Sequence, residues 1–119
     1  MIEKMAESTA GALGFRAVGD ITKDDYDVLF REVQAAIDQA GTVGLLIDLE
    51  RFEGERPGAW LSDLKFGHVY HKKITRMAIV GDKRWEHVVA ALADPFYARE
   101  SRSFGTADRA QAWDWVRGG

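Results

Sequence analysis

The chain is expected to fold as one α/β domain, a mixed and mostly parallel sheet with an N-terminal antiparallel hairpin and four helices. Three observations predict this. Two strand-like segments at the start are joined by a short polar connection, "AESTAG". Two later runs, "TVGLLIDLE" and "RMAIV", are continuously apolar, as strands covered on both faces require. Stretches of helical periodicity separate these runs, and parallel neighbours need such crossovers. A length of 119 residues gives one domain with a single core.

Taken in order, Ile2 to Met5 forms a short strand, and "GALGFRAVG" (Gly11 to Gly19) a longer one, with Leu13, Phe15 and Ala17 alternating against Gly14, Arg16 and Val18. Thr22 then caps the first helix, and Asp25 three residues on completes a capping-box pair. Ile21 and Tyr26 are placed to staple its entry. Tyr26, Leu29, Phe30, Val33 and Ile37 repeat at helical spacing, and Gly41 ends the run. Asp24, Asp25 and Asp27 suit the positive end of the helix dipole. The third strand covers Thr42 to Glu50. A loop, "RFEGERPG", leads to a helix near Ala59 to Tyr70, and Arg76 to Val80 is the next buried strand. Asp82 caps a third helix with Trp85, Val88, Val89 and Leu92 inward. "RESRSF" is the last strand, and Thr106 caps a final helix carrying Trp113 and Trp115.

Composition excludes several functions. Hydrophobic residues make up 46% and charged residues 29%, ordinary globular values. A net charge of −3 argues against a nucleic-acid binder that works by charge alone. The absence of cysteine removes disulfides and thiolate metal sites, and is compatible with a reducing cytoplasm. No apolar run approaches the roughly 20 residues of a membrane span, and the start lacks the basic-then-apolar order of a signal peptide.

With these elements in place, the sequence resembles a known family. The element order resembles the STAS fold of anti-sigma-factor antagonists. "LLIDLERFEG", "AWLSDLKFG", "RMAIVGDKRWE" and "DPFYARESRSF", with the tryptophan-bearing last helix, look like its SpoIIAA-like branch of small bacterial proteins. The better-known antagonists carry a phosphorylatable serine where the third strand turns into the second helix. That region here, Asp48 to Trp60, has no Ser or Thr, and Ser62 comes later with Asp63 beside it. The chain is therefore read as lacking the phosphoserine switch. The fold is also similar to that of CRAL-TRIO lipid carriers, which implies an apolar ligand by analogy.

Chemistry-bearing residues give few sites. In "GDKRW", a glycine at a strand end before a helix could bind an anion through free N–H groups. Asp82 would occupy that position as a cap, and the glycine–lysine pattern of a phosphate loop is missing. His68 and His71 stand three apart, but a zinc site needs more ligands, so no metal is expected. Ser62, Ser101 and Ser103 lack a recognisable base, and Asp63 with Lys65 reads as solvated charge, so no catalytic residue is assigned. Between Lys65 and Arg84 basic residues concentrate, and Lys72, Lys73, Lys83 and Arg84 form a candidate anion-binding patch, with a hydrated loop as the plainer reading. Among the rings, Phe52, Trp60, Phe66, Trp85 and Phe96 are candidate contacts for a ligand or partner, Phe52 and Trp60 foremost. The sequence thus predicts a cytoplasmic, non-enzymatic binding or regulatory module without a cofactor, acting by protein–protein contact as a homodimer through the surface near Trp60. The alternative is a carrier or sensor of a small apolar or amphipathic ligand.

Overall fold

Seven consecutive buried residues, Val43 to Leu49, place β3 (Val43–Glu55) at the centre of the protein. A strand this apolar needs neighbours on both edges and cover on both faces, and it has them. The structure is a computed structural model that describes residues 1–9, 11–55, 72–82 and 98–118, with Gly54 and Glu55 as backbone. β1 (Ile2–Lys4) runs antiparallel to β2 (Ala12–Ile21). β2, β3, β4 (Ile74–Val80) and β5 (Glu100–Phe104) then pair in parallel, in the order β1-β2-β3-β4-β5. The hairpin and the mixed, mostly parallel sheet are as expected. Among the described residues there are two α-helices, α1 (Lys23–Ala40) and α2 (Arg109–Val116). The helices expected over Ala59 to Tyr70 and after Asp82 lie outside the described residues.

The first helix starts as its sequence dictates. The Asp25 N–H donates to Thr22 Oγ1 at 3.3 Å, and Thr22 N–H donates back to Asp25 Oδ2 at 2.9 Å. Ile21 and Tyr26 are buried in the same apolar cluster. The helix stops at Gly41, whose φ of +85° suits a residue without a Cβ, and whose N–H donates to Ile37 O at 2.7 Å.

Period-two alternation along the strands divides the core into two layers. Phe15, Leu45, Ile47, Leu49, Met77 and Ile79 pack with α1. Leu46, Ala78 and Val80 pack with Ala112, Trp113 and Val116 of α2. Two glycines let α2 approach the sheet. A Cβ at residue 14 would lie 2.3 Å from Trp113 Cη2, and one at residue 44 would lie 2.6 Å from Val116 O.

β2 runs on to Ile21 and β4 begins at Ile74, each two residues beyond the sequence reading, and two further boundaries differ more. β3 continues past Glu50 to Glu55, because its ladder with β2 resumes after a bulge and pairs Val18 to Ile21 with Arg51 to Glu55. The expected loop from Arg51 is therefore strand over its first residues. Thr106 is not the cap of the last helix. A 3-10 turn, Thr106–Asp108, follows Gly105 and leads into α2 with no side-chain cap at either start. The backbone closes that turn itself, Asp108 N–H donating to Gly105 O at 3.0 Å.

Two outcomes are expected. Gly14→Ala should lower stability by about 1–3 kcal/mol in urea denaturation, because the Trp113 ring must move, whereas Gly11→Ala meets open space and should be nearly neutral. At Asp25, partial burial works to raise the carboxyl pKa, but hydrogen bonds from Thr22 and the Met1 ammonium outweigh it and hold the pKa below its ordinary 3.8. The ionised form therefore stabilises the fold above the unfolded value, and that stability is lost as pH falls through the lower folded value. In thermal melts, the advantage of wild type over Asp25→Asn should persist at neutral pH and shrink once pH drops below 3.8.

Candidate functional site

An aspartate in the middle of an apolar strand must find counter-charges or lose its own charge. Asp48 is fully buried at 0% exposure, and two arginines converge on it. Arg109 Nε, at the start of α2, donates to Asp48 Oδ2 at 2.8 Å. Arg16 Nε, from the neighbouring position on β2, lies 3.5 Å from the same oxygen and makes no hydrogen bond of its own. The second oxygen, Oδ1, accepts the Glu50 N–H at 3.0 Å. That N–H lies in the stretch where the β2–β3 register shifts, so the aspartate satisfies a donor at the irregularity. Arg109 Nη2 also reaches Glu50 Oε2. Burial opposes the charge on Arg109, but the hydrogen bond and charge of Asp48, then those of Glu50, outweigh it and raise its pKa above the ordinary value.

The other end of α2 is held the same way. Arg76 Nη1 donates to Trp115 O at 2.7 Å, a carbonyl that also accepts the Gly118 N–H at 3.0 Å, and Arg117 Nη2 donates to Glu7 O at 2.9 Å. Gly118, at φ +90°, turns the chain out.

Beside α2 the sheet presents a strip of rings and guanidinium groups. Parallel register places Arg76 with Glu100, Ala78 with Arg102 and Val80 with Phe104, all on the α2 side. Phe104 and Trp115, both half-buried, stand 6.0 Å apart between ring centres. The Arg76 guanidinium lies 5.3 Å over Trp115, and Arg102 lies 5.4 Å over Phe104. Arg76 also pairs with Glu100 at 3.3 Å. At the amino end of β4, Lys72 and Lys73 are exposed, and Arg99 Nε donates to Lys72 O at 2.9 Å. On the opposite flank of α2 a solvent-open cleft of about 360 Å³ is lined by Glu7, Arg109, Trp113 and Arg117 among others, with Arg117 stacked 4.8 Å over Trp113.

The residues singled out from sequence distribute unevenly. Phe52, expected to face a ligand or partner, is 2% exposed and belongs to the α1-side cluster. Because β3 continues through this position, its alternation turns Phe52 inward between exposed Arg51 and Glu53. Lys72 and Lys73 are exposed, as are Arg99 and Arg102, while Arg76 is half-buried. Trp60, Phe66, Trp85, Phe96, Lys83 and Arg84 lie outside the described residues, as do Ser62, Asp63, Lys65 and all three histidines. Among the described residues no group of three or more His, Cys, Asp or Glu converges as a metal site, and no helix is long and apolar enough to cross a membrane. The Asp48 cluster escaped the sequence reading. Its signal was the lone carboxylate inside "LLIDLE", a buried charge that had to have a partner.

Comparison with known proteins adds the following. A family model described as SpoIIAA-like matches residues 12–117. Among solved structures, the chain is similar to an uncharacterized protein of the DUF3478 family with a SpoIIAA-like fold from Shewanella loihica PV-4. The two share 28% identity over 97% of this chain and 93% of that one, with a TM-score of 0.75. It also resembles in fold the anti-sigma factor antagonist SpoIIAA in its unphosphorylated form, with 16% identity, full coverage of both chains and a TM-score of 0.67. No curated protein sequence matches.

The ion cluster makes an asymmetric prediction. Arg109→Met removes the hydrogen-bonded cation of a fully buried carboxylate, leaving it Arg16 at 3.5 Å and the Glu50 N–H, and should cost about 3 kcal/mol. Asp48→Asn leaves two arginines that are already more than a quarter exposed and can turn toward water. It should cost clearly less in the same urea titration. Equal losses would show that packing, not charge burial, sets the cost.

Proposed function

The chain belongs to the SpoIIAA-like family, and from that premise we propose that it is a non-enzymatic binding or regulatory module that works by protein–protein contact without a phosphoserine switch. The observation that carries this reading is the strip of Arg76, Trp115, Phe104 and Arg102 beside α2. Tryptophan, phenylalanine and arginine are the residue types enriched where proteins meet, and tryptophan and arginine supply much of the binding energy there. Stacking of each guanidinium on a ring orders these side chains before any partner arrives, which lowers the entropy cost of association.

Two further observations support contact over chemistry or enclosure. The strongest charged cluster among the described residues, around Asp48, is engaged in bracing α2 to the sheet, a structural use. The described interior is filled by side chains on both faces of the sheet. The absence of Ser and Thr between Asp48 and Trp60 supports a module regulated by something other than phosphate at that position.

A homodimer belongs to the same reading, because twofold self-association is the commonest soluble assembly. Native mass spectrometry and light scattering on protein purified from its own host test both. The expected result is a second polypeptide, another copy or a different protein, retained by wild type and lost with Trp115→Ala or Trp60→Ala. A monomer that carries a small apolar molecule, released on denaturation, would overturn the reading in favour of the carrier.

A further inference from the structure

Resting on the reading of the α2–β5 strip as a contact surface, we infer that the partner presents an acidic, extended polypeptide segment that lies over Arg102 and Phe104 against Trp115. Charge is the first argument. The chain carries a net charge of −3, yet the described charged residues along this strip are Lys72, Lys73, Arg76, Arg99 and Arg102 against Glu100 and, at the Phe104 end, Asp82. Glu100 is taken by Arg76. Lys72, Lys73, Arg99 and Arg102 have no carboxylate partner among the described residues. Arg102 is exposed, and its guanidinium lies over the ring of Phe104, which accepts none of its N–H groups as a carboxylate would. A planar guanidinium held this way is preset for bidentate pairing with a carboxylate.

Spacing is the second argument. Arg102 and Phe104 stand two residues apart on one face of β5, which is about 6.6 Å at the rise of a parallel strand. An extended chain repeats its own same-face side chains at about that interval. One acidic side chain can therefore meet Arg102 while a neighbouring apolar one meets Phe104 and Trp115. Among the described residues β5 is the last strand of the sheet, so no further described strand walls the strip on that side.

The same observations disfavour other polyanions. Nucleic-acid affinity needs several phosphate contacts in register, and of the two guanidinium groups over these rings Arg76 is already taken by Glu100. A membrane-seeking surface needs exposed apolar side chains. Phe104 and Trp115 are half-buried under guanidinium groups, and the exposed large hydrophobics among the described residues are Met1 and Val28, neither of them on this strip.

The test is fluorescence anisotropy with a labelled synthetic peptide of alternating glutamate and leucine. Comparison probes are a peptide of the same composition in two blocks, a single-stranded oligonucleotide, and phosphatidylglycerol vesicles. Arg102→Gln and Arg102→Glu are chosen because Arg102 is exposed, and thermal melting checks that both fold. Lys23→Glu, exposed at the start of α1, serves as control. The alternating peptide is expected to bind saturably and more weakly as salt rises from about 50 to about 200 mM. Arg102→Glu should weaken binding by at least about tenfold, the scale of a lost interface anchor, and Arg102→Gln by less, with Lys23→Glu unchanged. Absence of binding, or binding indifferent to Arg102→Glu, overturns the inference. Equal binding of the blocked peptide overturns its extended register. Oligonucleotide or vesicle binding that depends on Arg102, without peptide binding, overturns its partner class. A partner seen by native mass spectrometry and lost with Trp115→Ala, but with no peptide binding, leaves the contact reading standing and overturns this inference alone.

Discussion

One carboxylate without access to water organises one side of this protein. Asp48 sits at 0% exposure in the central strand, and such a charge is tolerated only where cations and donors surround it. The requirement reaches in three directions. It puts Arg16 beside it on β2, it takes up the Glu50 N–H where the β2–β3 register shifts, and it draws Arg109 to the first position of α2. A cation at a helix start opposes the helix dipole. Here the pairing with Asp48 and Glu50 offsets that cost. The position of α2 over the sheet is thus set by electrostatics at one end and by close apolar contact, Trp113 over Gly14 and Val116 over Gly44, along the rest.

Fixing α2 also builds the surface beside it. The helix has only eight residues, and Arg76 adds a side-chain donor to the backbone bonds of Arg117 and Gly118 that close its carbonyl end. That arginine, bonded to a backbone carbonyl, lies over Trp115, whose ring stands 6.0 Å from that of Phe104. The ring-and-guanidinium strip is therefore partly a by-product of helix docking. Structure and candidate contact surface share residues, and Trp115 contributes to both.

How much of this the sequence disclosed depends on the range of the interaction. Thr22 with Asp25, and Ile21 with Tyr26, are neighbours along the chain, and the capping box they announce is present. The buried strands were legible because "VGLLIDL" and "RMAIV" have too little polarity for a one-sided strand. Phe52 was misread because the glycine and proline downstream suggested a loop, whereas the ladder with β2 carries the strand through that residue. Thr106 has the chemistry of a cap, but a backbone turn had already closed that end. Asp48 signalled need without naming its partner. Nothing local links it to Arg109, 61 positions away, and that pairing emerges only when α2 lies across the sheet.

The same separation has a consequence for how the molecule is made. An eight-residue helix is far below the length that holds together alone in water, so α2 can form only on a sheet that already exists. Its arginine is added 61 residues after Asp48, about 3–12 seconds later at about 5–20 residues per second. Until then Arg16 is the one of the two arginines already synthesised, and burying Asp48 without Arg109 carries a higher cost. The full set of partners for the buried aspartate is thus completed late in synthesis, once the segment that carries Arg109 is available.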